Sequence, residues 1–194
     1  MISSVKRSIN LIGNFNYFIM KKKGFTLLEL LIVIGILAIL ATTVTLVLNP
    51  AELLKQARDS QRLGDLRSVH AALGMYAATA TVSPLFIATS TCTFATTTGP
   101  FSGGCITNST RSTNGTGWVN VNFSLISGGS PLSVLPIDPS NNANYLYGFK
   151  NDVISNTWEL DTVLESSKYN PMMGSDGGNQ NGFFEIGSYA GLAL

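Results

Sequence analysis

One carboxylate stands alone inside the most apolar stretch of this 194-residue chain. Glu29 is the single charged residue between Phe25 and Leu48, and the lysines 21–23 lie just before that stretch. A carboxylate at membrane depth is costly, so such a residue usually has a partner and a task. The chemistry that Glu29 can offer is therefore the pairing of its charge with a cation near a membrane.

The stretch from Phe25 to Leu48 has the length of a membrane span. As a helix, its 24 residues would extend about 36 Å, against a hydrocarbon core of about 30 Å. A secretory signal peptide also places basic residues before an apolar run, but its apolar core has only about 7–15 residues. A buried core helix is disfavoured by the same length. The basic residues on the N-terminal side predict a cytoplasmic N-terminus, with the rest of the chain outside.

The string KKKGFTLLELLIVIGILAIL, from Lys21 to Leu40, resembles the processing and assembly signal of type IV pilins and type II secretion pseudopilins. Its basic residues, Gly, Phe, Thr, Leu and a Glu four positions after the Phe all coincide with that signal. The resemblance implies an α+β pilin fold, in which a long N-terminal helix packs on a small antiparallel sheet. One half of that helix is transmembrane and the other half is amphipathic.

The same resemblance assigns roles to three residues. In the family, a membrane peptidase cuts after the Gly and methylates the new amino terminus, which places the cut between Gly24 and Phe25 and the methyl group on Phe25. Glycine lacks a Cβ and lets the backbone approach the catalytic groups of a protease closely. The freed amine of Phe25 and the carboxylate of Glu29 would lie one helical turn apart, so they could pair within a chain or between neighbours. In the family, the Glu is thought to meet the amine of an adjacent subunit; the alternative is a Glu29 that reaches the membrane surface without a role.

Residues 1–24 are expected to form a leader that processing removes. The first 20 residues do not resemble the short polar leaders of the family, and translation from Met20 would give the leader MKKKG. Five of the twelve basic residues and none of the eleven acidic ones lie in the leader, so seven basic residues remain and the net charge becomes −4. No basic run remains to indicate nucleic-acid binding.

Residues 49–78 are predicted to be the amphipathic part of the long helix, because apolar residues recur there at helical spacing with charged residues between them. Asn49 and Pro50 indicate either a fresh helix start or a kink within one long helix. Asp59 and Arg62 have the spacing of helical neighbours. We expect such a pair to contribute a few tenths of a kcal/mol, either on a solvated face or in subunit packing.

The remaining residues, 79–194, are predicted to form a globular head. Thr, Ser, Gly and Asn dominate residues 79–117, which indicates loops and short extended pieces. In an outward-facing domain, Cys92 and Cys105 are expected to form one loop-closing disulfide rather than a metal site, for which two more ligands are missing. In the chain-entropy model such a bridge contributes about 3 kcal/mol.

Four segments of the head predict strands. Residues 118–126 alternate apolar and polar side chains, residues 145–150 and 157–164 predict a hairpin, and residues 183–186 predict a closing strand. We expect an antiparallel sheet of three or four strands to pack on the amphipathic helix, with one face buried and the other wet.

A second resemblance lies just before the predicted hairpin. The residues from Leu135 to Pro139 are similar to a Leu-Pro-x-Asp-Pro element that many pseudopilins carry before the sheet. Within it, Asp138 can accept hydrogen bonds from nearby backbone amides in a turn. This element favours a major pseudopilin, whereas the long Thr/Ser-rich segment suits a surface pilin.

The loop at residues 173–182 is rich in glycine and asparagine. Major pseudopilins bind calcium near their C-terminal loop, and Asp176, Asn179 and Asn181 carry oxygen atoms that suit calcium. One acidic residue is few for a calcium site, so we expect a structural loop, with calcium binding as the alternative. We assign no metal ligand and no other cofactor.

The sequence has no catalytic constellation. It contains one His, no Ser-His-Asp order, no phosphate-binding Gly loop before a helix and no Cys/His cluster, so we predict that it is not an enzyme. The resemblance implies a structural subunit that polymerises through its hydrophobic helix into a pilus-like or pseudopilus filament. The alternative is a single-pass anchored exodomain that acts as an adhesin-like binding module or an enzyme.

The resemblance also implies partners and a location. The partners are other copies of the chain, the prepilin peptidase, the assembly platform of the inner membrane with its minor pilins, and the lipid bilayer. The chain would first reside in the inner membrane as a single-pass protein with an extracytoplasmic head. It would then enter a periplasmic or extracellular filament.

Overall fold

The structure is a computed structural model that describes residues 24–80, 86, 88–96, 99–188 and 194. The chain divides into two compact units, Met1–Val47 and Leu48–Leu194. The start proposed at Met20 and the three basic leader residues 21–23 lie outside the described residues.

Helix α1 spans Leu27–Leu48 and begins at a side-chain cap. The Oγ1 atom of Thr26 accepts a hydrogen bond from the N–H of Glu29 at 3.1 Å, which satisfies one of the free amides of the first turn. A Thr followed three residues later by a Glu is the sequence of a capping box, so this helix start is encoded locally.

Apolar side chains surround α1 on every side, and every side chain described in it is exposed. A helix that is apolar all round is normally buried in a large core or in a membrane. Residues Leu27–Thr45 are long and apolar enough to cross a membrane. The hydroxyl groups near its end need no partner outside the helix, because Thr42, Thr43 and Thr45 each donate to a carbonyl oxygen three residues earlier.

Helix α2 spans Pro50–Thr79 and begins at its own N-cap. The structure thus contains the fresh helix start, one of the two alternatives that the sequence left open. Its N-cap is Asn49, which has left-handed backbone angles (φ 39°, ψ 77°) that asparagine tolerates better than most residues. The Oδ1 atom of Asn49 accepts a hydrogen bond from the N–H of Glu52 at 3.4 Å. Pro50 occupies the first helical position, where its missing N–H leaves no bond unmade.

The C-terminal two thirds of α2 carry one side of the main core. Its buried apolar residues are Leu63, Leu66, Val69, Ala72, Leu73 and Tyr76. They belong to one cluster with large side chains from the rest of the head, among them Phe86, Trp118, Phe123, Phe149, Trp158 and Leu160. The predicted apolar face is present there, but Leu53 and Leu54 in the first turns are about half exposed.

Five strands form one sheet in the head. They are β1 (Thr89–Cys92), β2 (Ile106–Thr107), β3 (Tyr147–Asp152), β4 (Thr157–Thr162) and β5 (Phe184–Gly187). Their order across the sheet is β2-β1-β3-β4-β5. Neighbouring strands are antiparallel except β1 and β2, which are parallel. The predicted α+β class is confirmed.

The predicted hairpin and closing strand are present, with shifted ends. Strand β3 continues through Asp152, so the turn to β4 is formed by residues 153–156, where Asn156 has a φ of 53°. The register places Phe149 opposite Leu160 on the face that joins the main core. The sheet has five strands rather than three or four because the Thr/Ser-rich segment adds β1 and β2 at one edge.

The strand predicted at residues 118–126 is wrong. The backbone N–H groups of Trp118 and Phe123 donate to carbonyl oxygens of Thr110 and Thr113 in the preceding loop, both at 2.9 Å. The side chain of Asn122 then caps a short 3₁₀ helix, Phe123–Leu125, which turns the chain away from an extended course. The alternation still reports burial in part, since Val119, Val121 and Phe123 are buried while Leu125 is exposed.

Candidate functional site

The residues assigned to processing lie directly before α1. Gly24 and Phe25 have non-helical backbone, and Phe25 is 79% exposed. A Cβ atom built on Gly24 would meet no atom of the described residues within 4 Å, so packing against them does not require a glycine there. Both residues are exposed, and the cleavage between them and the methylation of Phe25 stay predictions.

Glu29 lies in the first turn of α1 and is exposed. A carboxylate in this position interacts favourably with the positive end of the helix dipole. No cation among the described residues forms an ion pair with it. Its carboxylate is therefore available to a partner, and its role in assembly stays a prediction.

A fully buried arginine on α2 holds three acidic side chains. Arg62 donates from Nε and Nη2 to Oδ2 and Oδ1 of Asp138, at 2.7 and 3.1 Å. Its Nη1 donates to Oδ1 of Asp59 and to Oε1 of Glu165, both at 2.8 Å. The guanidinium group thus binds Asp138 in a bidentate way through Nε and Nη2, and it binds Asp59 and Glu165 through Nη1.

The same acids also fix two loops to α2. Asp138 accepts hydrogen bonds at Oδ1 from the backbone N–H groups of Ser140 and Asn141, at 2.7 and 3.1 Å, which is the turn role predicted from the sequence. Asp59 accepts at Oδ2 from the N–H of Ser166 at 2.8 Å. The Leu-Pro-x-Asp-Pro element and the loop after β4 are thereby held on one side of the helix.

Hydrogen bonds from two arginines stabilise the charge of Glu165. Arg58 donates from Nε and Nη2 to both of its carboxylate oxygens at 2.6 and 2.8 Å. These bonds, together with those from Arg62, lower the pKa of Glu165 to about 2. Burial lowers the pKa of Arg62, but its hydrogen bonds to Asp138 and Glu165 outweigh that effect and leave the pKa raised. Glu165 and Arg62 are therefore both ionised throughout the physiological pH range.

Cys92 and Cys105 are joined by a disulfide with a Cα–Cα distance of 5.6 Å. Cys92 ends β1 and is buried with Phe101 and Leu146 in a second, small apolar cluster. A Cβ atom on Gly148 of β3 would lie only 2.7 Å from Cγ of Pro100, so the disulfide-closed loop lies directly on the sheet. This loop covers part of the sheet face opposite to α2. The alternation in the sequence predicts that this face is exposed to solvent.

The same covered face carries three buried carboxylates. Glu159 and Asp161 lie on β4 and Glu185 lies on β5, and one carboxylate oxygen from each lies within 4.8 Å of the others. Burial raises the pKa of Glu159 to about 7 and raises those of Asp161 and Glu185. Glu159 and Asp161 alternate with Trp158 and Leu160, which is the pattern of a strand with one solvent-exposed face, so the sequence pattern does not reveal this cluster.

In the loop at residues 173–182, Asp176 binds backbone amides of the loop and of β5. Asp176 accepts hydrogen bonds from the backbone N–H groups of Gly178 at 3.0 Å and Glu185 at 2.8 Å. Asn179 and Asn181 are exposed. Asp176 therefore supports the loop backbone, and calcium binding by these three residues stays an untested alternative.

These features define an α+β protein whose N-terminal apolar helix has membrane-spanning length. The family model described as "Prokaryotic N-terminal methylation motif" matches residues 19–45. That motif is the signature of type IV pilins and pseudopilins, and this chain carries it. The match includes Gly24, Phe25 and Glu29 and ends within α1, so it covers no part of the head. Comparisons with curated proteins and with solved structures gave no match.

Proposed function

We propose that this chain is a prepilin whose mature form is the structural subunit of a type IV pilus-like or type II secretion pseudopilus filament. The observation that carries the proposal is the methylation motif at residues 19–45, together with an exposed helix α1 that is apolar on all sides. A helix of this kind can reside in lipid as a monomer and can later pack against copies of itself. The motif makes a filament subunit the best-supported class.

Processing would create the charge pair that assembly needs. A prepilin peptidase would cut between Gly24 and Phe25, and the new N-methylated amine of Phe25 would carry a positive charge. In an apolar filament core, both this amine and the carboxylate of Glu29 would be costly unless paired. Pairing between neighbouring subunits would therefore favour one stagger of the α1 helices.

The domain organisation follows from this function. Residues 1–24 would be the leader, 25–48 the membrane helix, 49–78 the amphipathic helix and 79–194 the globular head. The leader would stay in the cytoplasm and the head would fold outside the inner membrane, where a Cys92–Cys105 disulfide can persist. The Leu135–Pro139 element favours a pseudopilus, and the disulfide-closed Thr/Ser-rich segment favours a surface pilus.

An anchored exodomain is the competing class. A helix that only tethers a domain has no need for a glycine before Phe25 or for a carboxylate at Glu29. The two classes predict different products, since an anchor keeps its N-terminal segment and does not polymerise.

The experiment uses the full chain expressed in a host that has a prepilin peptidase and an assembly platform. Mass spectrometry of the mature protein should find N-methylated Phe25 as its first residue, and Gly24→Val should leave the leader attached. Glu29→Gln should be processed normally but give no filament by electron microscopy. The matched control Glu52→Gln, which lies outside the motif in the first turn of α2, should be processed and should assemble. Mature protein that begins before Phe25, or unchanged filament yield for Glu29→Gln, would contradict the proposal.

A further inference from the structure

The buried carboxylates of Glu159, Asp161 and Glu185 lack the partners that buried acids require. Four of their oxygens have no hydrogen-bond partner within the described part of the chain: Oε1 of Glu159, both oxygens of Asp161 and Oε1 of Glu185. Asp161 is 0% exposed. A buried ionised carboxylate without a donor or a counter-charge is strongly unfavourable.

The backbone holds each glutamate in a way that leaves one oxygen free. Oε2 of Glu159 accepts a hydrogen bond from the N–H of Leu194, and Oε2 of Glu185 accepts one from the N–H of Gln180, both at 3.0 Å. Asp161 lies directly opposite Glu185 in the strand register and on the same face as Glu159. One oxygen of each glutamate and both oxygens of Asp161 are thus left for a common ligand.

Neighbouring charges offset the charge of the cluster only in part, through the attraction between Lys150 and Glu159. Lys150 lies opposite Glu159 in the register, but its Nζ atom is placed over the ring of Phe101, 5.7 Å from the centroid, and forms no ion pair with a described acid. Asp176 in the covering loop adds a further negative charge near Asp161 and Glu185. The site therefore has an excess of negative charge on buried oxygens.

We propose that Glu159, Asp161 and Glu185 bind a divalent cation that prefers oxygen ligands. Such a cation supplies both the missing charge and the missing partner for four orphaned oxygens. Calcium takes oxygens at about 2.3–2.6 Å and can bridge atoms up to about 5 Å apart. The three ligand atoms, which lie within 4.8 Å of one another, fit inside that span. Because the cluster contains no His or Cys, its ligand chemistry favours such a hard cation over zinc or copper.

This site would cross-link β4 to β5 and would support the loop above them. A Cβ atom on Gly178 would overlap the carboxylate of Glu185, so the loop can lie this close only because residue 178 is glycine. The ligands are strand residues beneath the loop, and they differ from Asp176, Asn179 and Asn181. The proposal does not depend on filament assembly, and assembly is not its readout.

The test uses the full chain in detergent micelles after removal of metal with EDTA. Titration with CaCl₂ should give saturable heat of binding and should raise the melting temperature. The rise should be about 5–10 °C at a free cation concentration 100 times the Kd. Mn²⁺ should compete with Ca²⁺ and should give the spectrum of a bound ion by electron paramagnetic resonance.

Two isosteric variants separate binding from folding. Asp161→Asn removes one buried charge, so in EDTA it should be at least as stable as the wild type, and it should lose at least nine tenths of the calcium-induced shift. Asp152→Asn changes a partly exposed acid on the neighbouring strand β3 and should keep the full shift. The proposal is overturned if neither cation shifts the wild type, or if Asp161→Asn responds as Asp152→Asn does. It is also overturned if only protons, and no cation, stabilise the wild type, because the three acids would then share protons instead.

Discussion

Arg62 and Asp138 form a bidentate ion pair in which both side chains are fully buried, with an Nε–Oδ2 distance of 2.7 Å. The two residues are 76 positions apart in the sequence, one on α2 and the other between two prolines ahead of β3. The pair fixes where the chain enters the sheet relative to the helix beneath it. The Asp of the Leu-Pro-x-Asp-Pro element therefore has a structural partner in this head, independent of any filament.

Removing the arginine should be strongly destabilising. Arg62→Met keeps much of the side-chain volume but leaves Asp59, Asp138 and Glu165 without their shared cation, and breaking a buried pair in this way costs about 3–5 kcal/mol. Arg58→Met is the control, because the Arg58 side chain is 36% exposed and its ion pair within the described part of the chain is with Glu165, so it should cost about 1 kcal/mol or less. Urea unfolding followed by circular dichroism measures both free energies. Equal losses would show that burial of the Arg62 network contributes nothing.

The partner in this pair should show energetic coupling to Arg62. Asp138→Asn keeps an oxygen that can accept from the N–H groups of Ser140 and Asn141, but it removes the charge that Arg62 binds. We expect the double variant Arg62→Met/Asp138→Asn to lose at least 1 kcal/mol less than the sum of the single losses. A double-mutant cycle in urea measures this coupling, and additive losses would contradict a direct pair.

The loss of unfolding free energy at acid pH should depend on Glu165. Hydrogen bonds from Arg58 and Arg62 lower its pKa from an ordinary value of 4.5 to about 2 in the folded protein, so folding favours the ionised form. The resulting stability is present above about pH 4.5 and is lost as the pH falls from 4.5 towards 2. Glu165→Gln should flatten unfolding free energy against pH in this window.

The buried acids on β4 and β5 should make the unfolding free energy change with pH in the opposite direction to Glu165, and over a higher pH range. The raised pKa of Glu159, about 7, means that the folded state prefers the protonated acid, so stability in EDTA should fall as pH rises from about 4.5 to 7. A Glu165→Gln variant should keep this second slope unchanged. If the unfolding free energy of Glu165→Gln falls at acid pH as steeply as that of the wild type, a carboxylate other than Glu165 controls the loss of stability there.

Local pattern was sufficient wherever the structure is itself local. The alternation in β3 and β4 depends on neighbours within a few residues, and the structure contains both strands. The Asn-Pro pair before α2 left a fresh helix start and a kink as alternatives, and the structure contains the fresh start. Burial of Asp59 and Arg62 was not predictable in the same way. Their spacing indicates a helical pair, but only partners 76 and 103 residues from Arg62 turn that pair into a buried network.

The two errors in the predicted sheet have different causes. Residues 118–126 alternate as a strand does, yet their amides bond to a loop and Asn122 starts a turn. The acids of β4 alternate as if one face were wet, but the disulfide-closed loop and the loop at 176–182 cover that face. Alternation indicates which side chains share a face, and it does not indicate what covers that face.

The disulfide should stabilise the head by an amount set by its loop. Cys92 and Cys105 are 13 residues apart, for which the chain-entropy model gives about 3 kcal/mol. The double variant Cys92→Ala/Cys105→Ala should lose about this much in urea unfolding. Dithiothreitol should destabilise the wild type to a similar extent and leave the double variant unchanged. A wild type that is insensitive to reduction would show that the loop is held by Phe101 and Leu146 packing alone.

Gly117, in the Thr/Ser-rich segment, should not tolerate substitution by a residue with a side chain. A Cβ atom on Gly117 would overlap the carbonyl oxygen of Ser112 and Cδ1 of Leu135, so Gly117→Ala should cost at least about 2 kcal/mol. Gly174→Ala is the matched control, because a Cβ there meets nothing within 4 Å, and it should change stability by less than about 1 kcal/mol.

The reason lies in how the Thr/Ser-rich segment meets the Leu-Pro-x-Asp-Pro element. The backbone N–H of Leu135 donates to the carbonyl oxygen of Arg111 at 2.8 Å, and Nε of Arg111 donates back to the carbonyl oxygen of Leu135 at 2.7 Å. Gly117 lets this pair of segments approach closely enough to bury Leu135 completely. Gly117→Ala should therefore increase hydrogen exchange at the Leu135 amide as well as lower the unfolding free energy. If the unfolding free energy falls while that exchange stays slow, the strain lies at Ser112 and not at the contact with Leu135.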